Sequence, residues 1–157
     1  MMAFPEPSSG CFDGALHRFA VRAYYEDTDL SGIVYHANYL RWFERARSDM
    51  LRLLGIDQRA AVEQGIGAYA VTDIAIRYLS PARLDDSVLI ESRIDHLGPA
   101  TCRMHQQASR DGLALCEARL KVGFIDLSGR PRRQPDAWRQ AFAPLLATKA
   151  SDSEGPR

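Results

Sequence analysis

One long helical pattern constrains this sequence more than any other feature, because it is too apolar to leave a broad face in water. Between about Asn38 and Leu54, the residues Tyr39, Phe43, Ala46, Met50 and Leu54 recur on one face, and Leu40, Trp42, Leu51 and Leu53 widen the stripe. Arg41, Glu44, Arg45, Ser48, Asp49 and Arg52 fall elsewhere on the cylinder. Gly55 supplies a stop, and a short second helix is expected from Asp57 to Gln64, closed by Gly65. A helix of this kind must be covered on more than one side, and no second long helix follows to cover it.

Elsewhere the apolar period is two. Phe19, Val21, Ala23 and Tyr25 alternate ahead of the helix, as in a half-buried strand. Four further runs follow it, with Ile74, Ile76 and Tyr78 sharing a face, then Val88, Ile90 and Ile94, then Cys102, Met104 and Ala108, then Cys116, Ala118, Leu120, Val122 and Phe124. Ser80-Pro81, Leu97-Gly98-Pro99, Asp111-Gly112 and Ser128-Gly129 supply the breaks, and Asp111-Gly112 is a hairpin signal. The expected fold is therefore α+β: an antiparallel sheet of about five strands that curls around one long helix.

The chain of 157 residues suits one domain. Residues 1–16 and 148–157, rich in Pro, Gly, Ser and charge, are expected to be a flexible extension and a disordered tail around a domain at 17–147. Twenty basic residues balance twenty acidic ones, which excludes sequence-independent nucleic-acid binding. The longest uncharged run, Leu30 to Leu40, is far short of the ~20 apolar residues of a membrane span. The first residues lack the basic and apolar regions of a secretory signal. Cys11, Cys102 and Cys116 form no CxxC pair, which argues against a disulfide scaffold or zinc site and points to the cytoplasm. Of the basic residues only Lys121 and Lys149 are lysine, and the rest are arginine.

Chemistry concentrates between the first strand and the helix, in Tyr24-Tyr25-Glu26-Asp27-Thr28-Asp29-Leu30-Ser31-Gly32-Ile33-Val34-Tyr35-His36-Ala37-Asn38-Tyr39. A carboxylate, Asp29, precedes a helix start whose backbone N–H groups are unpaired and carry the positive end of the dipole. Gly32 lets the backbone pass close to a neighbour. A carboxylate beside free N–H donors suits attack on a carbonyl, with the donors holding the oxyanion. Residue by residue, plainer roles compete. Asp27 and Asp29 also suit loop capping or a hard cation, though no calcium-loop spacing surrounds them. His36 also suits a helix start or a half-buried core position, and Tyr25, Tyr39, Trp42 and Phe43 suit packing. No Gly-x-Ser-x-Gly elbow is present, which excludes an α/β-hydrolase.

Taken whole, this segment is similar to the hot-dog-fold 4-hydroxybenzoyl-CoA thioesterase family, and within it to the YbgC (Tol–Pal-associated) acyl-CoA thioesterase branch. Phe43-Glu44-Arg45-Ala46-Arg47 and Tyr78-Leu79-Ser80-Pro81-Ala82-Arg83-Leu84-Asp85-Asp86 extend the likeness, which covers about residues 18–141. The resemblance implies hydrolysis of an acyl-CoA, or of an acyl carrier protein thioester, without metal or cofactor. It implies that Asp29 is the nucleophile or general base, that the backbone N–H of His36 polarises the thioester carbonyl, and that Tyr25 and the His36 side chain assist. It also implies a homodimer or homotetramer with sites at subunit interfaces.

Two departures stand out. Leu30-Ser31 follows Asp29 where the family has a small residue or proline, and Gly98-Pro99-Ala100 stands where the 4-hydroxybenzoyl-CoA enzyme has a basic, nucleotide-binding turn. CoA phosphates must then meet arginines elsewhere, and Arg83, Arg130, Arg132 and Arg133 are the candidates. His36 with Glu44 leaves open a hot-dog acyl hydratase or dehydratase, and the fold alone leaves open a non-catalytic protein that binds acyl-CoA or acyl carrier protein.

Overall fold

The computed structural model describes residues 1–146, so the tail expected from residue 148 lies outside the described residues. Six strands form one antiparallel sheet: β1 (Cys11–Asp13), β2 (Leu16–Arg22), β3 (Ala68–Tyr78), β4 (Ser87–Leu97), β5 (Thr101–Arg110) and β6 (Leu113–Ile125). Their order across the sheet is β1-β2-β4-β5-β6-β3, so β3 crosses over to become an edge. The helices are α1 (His36–Leu53), α2 (Gln58–Glu63) and α3 (Asp136–Phe142).

The α+β reading and the wrapped helix hold. The first half of α1 buries Tyr39, Trp42, Phe43 and Ala46 against Val88, Ile90, Ala108, Cys116 and Ala118. Its second half sends Met50 and Leu51 into a cluster with Ile94, Met104, Leu120 and Phe142. Gln106, fully buried on β5, fixes the helix to the sheet: its Nε2 donates to Phe43 O (3.0 Å) and Ser92 Oγ (2.9 Å), and its Oε1 accepts from Arg47 (2.8 Å). A buried amide satisfied at both ends adds direction where apolar packing has none.

The strand ahead of α1 runs Leu16–Arg22, not Phe19–Tyr25, because the chain turns at Tyr24 into a single 3-10 turn (Tyr25–Asp27). The segment expected to be a flexible extension contains β1, paired through Cys11↔Arg18 and Asp13↔Leu16. Asp49 explains its order. Read from the helix alone, Asp49 sits away from the apolar stripe, yet it is buried. Its Oδ2 accepts from His17 Nε2 (2.7 Å) and from Gly10 N (3.0 Å), and its Oδ1 accepts from Ser9 Oγ (3.0 Å). A Cβ on Gly10 would lie 2.3 Å from Arg18 O and 2.7 Å from Asp49 Oδ2, so only glycine fits this approach. Helix α3 also lies outside the expected elements. Pro135 caps it, and it lays Trp138 and Phe142 over Tyr69 and Phe124.

Candidate active site

Two sequence segments far apart in the chain, 24–39 and 78–86, close on each other. Val34 N donates to Ala82 O (2.8 Å), Ile33 bridges Arg83, and the backbones of Ala23, Asp85 and Asp86 exchange hydrogen bonds. The loop between the 3-10 turn and α1 is tied internally, through the Thr28↔Val34 bridge and through Asp29 N to Ile33 O (3.0 Å). Gly32 takes φ +79°, where a side chain is strained. A Cβ there would meet open space, so the glycine answers to backbone shape, not to the close approach expected.

The two aspartates part company. Asp27 is a local cap: its Oδ2 accepts from Tyr24 N (2.8 Å), and its carbonyl accepts from Tyr35 N (2.8 Å) and Asn38 Nδ2 (2.7 Å). Asp29 is solvent-exposed and lines an open pocket with Ile33, Val34, His36, Tyr39, Tyr78, Leu79, Ser80 and Pro81. One oxygen, Oδ1, accepts from both Ser31 Oγ and Ser31 N. These two bonds, aided by His36, hold the carboxyl below its ordinary value despite the small cost of burial.

His36 is the first residue of α1, so its N–H and that of Ala37 have no intrahelical acceptor. The pocket of Asp29 therefore also holds the positive end of an 18-residue helix. Tyr78 Oη donates to His36 O (2.8 Å), and Ala82 N donates to Tyr39 Oη (3.1 Å). Burial pushes both phenols above their ordinary value, so near neutral pH they are hydrogen-bonding groups and not bases. Sequence reading placed Tyr78 on a strand face and Tyr39 in the core. The partner of each, His36 O for Tyr78 and Ala82 N for Tyr39, lies more than forty residues away in the chain and carries no local signal.

Tyr25 is 83% exposed and does not line the pocket of this single chain. Arg83 is exposed on backbone paired with Ile33, beside the Asp29 loop. The arginines after β6 lie elsewhere. Arg132 donates to Gly65 O (2.9 Å), Arg133 faces Asp136 (3.6 Å), and Arg132 N donates to Phe124 O (2.9 Å). On β6 this end pairs with Ala68, whereas the end near the site pairs Cys116 with Tyr78. The separation is about 30 Å at ~3.3 Å per residue. The Gly98-Pro99-Ala100 turn is covered by the chain itself: Gln134 donates to Gly98 O and Pro99 O, and Phe124 N donates to Ala100 O.

Glu44 lines a different cavity, with Arg47, Met50, Leu51, Gln58, Tyr69, Val71, Cys102, Met104, Val122 and Phe142, and its carboxylate is engaged by Arg47. It does not share a pocket with His36, as a hydratase pair would. Among the described residues no cluster of metal-ligating side chains occurs, and no helix is long and apolar enough to cross a membrane.

The model of the Thioesterase-like superfamily matches residues 24–146. The acyl-CoA thioesterase YbgC of Haemophilus influenzae is 41% identical over 125 residues, covering 79% of this chain and 92% of that protein. The acyl-CoA thioester hydrolase YbgC of Escherichia coli is 38% identical over 122 residues, covering 76% and 90%. A probable thioesterase from Bartonella henselae superposes with a TM-score of 0.72 at 35% identity, covering 76% and 99%. A variant of 4-hydroxybenzoyl-CoA thioesterase bound to 4-hydroxybenzoyl-CoA shares the hot-dog fold, with a TM-score of 0.75 at 20% identity, covering 82% and 99%.

Proposed function

Because the chain belongs to the thioesterase-like superfamily, we propose that its acyl-CoA thioesterase chemistry runs through Asp29. The protein hydrolyses the thioester of an acyl-CoA to a free acid and CoA. The observation that carries the assignment to Asp29 is its shared pocket with the first N–H groups of α1. Its free oxygen either adds to the carbonyl and expels the CoA thiolate, leaving an anhydride that water opens, or takes a proton from water as that water adds. Both routes consume one water and yield one acid and one thiol. The N–H of His36 meets the oxyanion, and the His36 ring bounds the site. Thioesters have weak resonance and a good leaving group, so one carboxylate suffices without a Ser-His-Asp triad.

The substrate-facing assembly is a homodimer joined through β3. Eleven residues of edge strand, from Ala68 to Tyr78, have no partner on their outer side among the described residues. A long free edge is a template for pairing. Antiparallel pairing of β3 with a second copy brings the Tyr78 end of each strand beside the Ala68 end of the other. The partner's Arg130, Arg132 and Arg133 then come to the site that this chain's own set cannot reach, and join Arg83 on the CoA phosphates. Free cysteines suit a cytoplasmic location.

Thiol release from a panel of acyl-CoAs tests the assignment. Asp29→Asn is expected to lower kcat by roughly 10²–10⁴-fold in a folded protein. Undiminished hydrolysis would sink the role given to Asp29.

A further inference from the structure

The tetrapeptide Asp-Leu-Ser-Gly occurs twice in the chain, at Asp29-Leu30-Ser31-Gly32 and at Asp126-Leu127-Ser128-Gly129. The surroundings differ. The first copy follows the 3-10 turn and precedes α1, and the second follows β6. The serine and glycine bonds are nonetheless the same, and the second copy adds one from Arg130 N to Asp126 Oδ1 (3.0 Å). In both, the aspartate Oδ1 accepts from the N–H and the hydroxyl of the serine two residues on. In both, the glycine N–H donates to the aspartate carbonyl at 3.0 Å. Both glycines take a positive φ, +79° and +88°. Two copies that share no tertiary neighbours and reach one geometry show that these four residues encode it themselves.

We propose that Ser31 is a positioning residue for thioester hydrolysis: its hydroxyl and its N–H anchor Oδ1 of Asp29 and leave Oδ2 free to meet the thioester or its water. This rests on the role given above to Asp29. Oδ2 has no hydrogen-bond partner among the described residues, whereas Oδ1 has two. An exposed carboxylate would otherwise turn freely about its side-chain bonds, and each competing rotamer takes population from the reactive one. The serine hydroxyl removes that freedom without any help from the core, because Ser31 is itself exposed. Leu30, fully exposed between the two, leaves the turn without packing of its own.

The same two bonds hold the Asp29 carboxyl below its ordinary value. The titratable groups that share its pocket are His36 and Tyr39 on α1 and Tyr78 on β3, with Arg83 on the backbone paired to Ile33. Asp27, on the preceding turn, spends its carboxylate on Tyr24 N. A depressed value keeps Asp29 ionised further into acid, so the acid limb of kcat/KM lies below the usual carboxylate range. Removing one of the two donors moves that limb to higher pH.

The test compares wild type with Ser31→Ala and Ser31→Thr by thiol release across pH, and follows the Asp29 carboxyl carbon by NMR titration. Ser31→Ala is expected to shift both the limb and the NMR titration upward and to lower kcat about ten-fold, the worth of one hydrogen bond. Ser31→Thr is expected to restore both. Ser128→Ala gives the local comparison: it shifts the Asp126 titration upward too, with Arg130 N still in place as a donor. A Ser31→Ala enzyme with unchanged limb, titration and kcat overturns the proposal. A titration that shifts while limb and kcat stay put also overturns it, since the hydroxyl then acts on the carboxyl but not on the reaction. Failure of the underlying reading looks different: Asp29→Asn then stays active, whatever Ser31→Ala does.

Discussion

Removing the Asp49 carboxylate tests the account of how the first residues are held. Asp49→Ala deletes the acceptor for His17 Nε2, Gly10 N and Ser9 Oγ together. His17 has no exposed surface, and its Nδ1 already lacks a partner, so the variant leaves the whole imidazole unpaired in the interior. Breaking a buried pair by removing one member costs about 3–5 kcal/mol, because the other member keeps its desolvation penalty. A domain of this size has roughly 5–15 kcal/mol in all. The loss therefore takes a large share, and about 3 kcal/mol corresponds to a fall in Tm of roughly 6–12 °C. Urea unfolding followed by far-ultraviolet circular dichroism, at one fixed protein concentration, measures it. Ser9→Ala, which removes only an exposed residue's donor, is expected to cost under ~1 kcal/mol. The double variant His17→Phe with Asp49→Leu is expected to recover most of the loss, since it leaves no polar orphan. A loss below ~1 kcal/mol for Asp49→Ala would mean that backbone pairing and apolar contact alone hold the N-terminal strand.

Two further outcomes follow from the geometry. Mixing Asp29→Asn chains with chains carrying Arg130→Ala and Arg133→Ala is expected to restore one site of wild-type kcat/KM per mixed dimer, because under the proposed β3 pairing each site draws its aspartate and its arginines from different chains. Mixtures no better than the average of the two parents would place those arginines in cis or outside the site. Burial pushes the Cys102 and Cys116 thiols up to about 12, so at pH 8 a thiol reagent is expected to label Cys11 quickly and the other two only after unfolding. Fast labelling of all three in the folded protein would contradict the burial of the two strand cysteines.

The parts of the fold legible in the sequence are those with strong local periodicity. The α1 stripe and the alternation along β4, β5 and β6 could be read because each residue's side is set by its own strand or helix. β1 could not, because three residues carry no period and their order comes from Asp49, a distant residue on α1. Asp49 was illegible in turn, since a helical pattern ranks it by the apolar stripe and cannot know that β2 and the first residues cover the other side. At the site, Asp29 and the start of α1 were legible because they are neighbours in the chain. Tyr78 was not, since its bond to His36 O depends on β3 crossing to the far edge of the sheet. The three arginines after β6 were candidates for the CoA phosphates by residue type, and the register of β3 on β6 puts their end of the strand far from Tyr78 within one chain.

That register gives β3 two duties at once. Tyr78 at its end steadies the first turn of α1, and its outer edge is the surface on which a second copy would settle. An element shared in this way ties turnover to association. Under the pairing proposed here, dilution would weaken the enzyme without touching a single catalytic group, and specific activity would belong to the solution as much as to the chain.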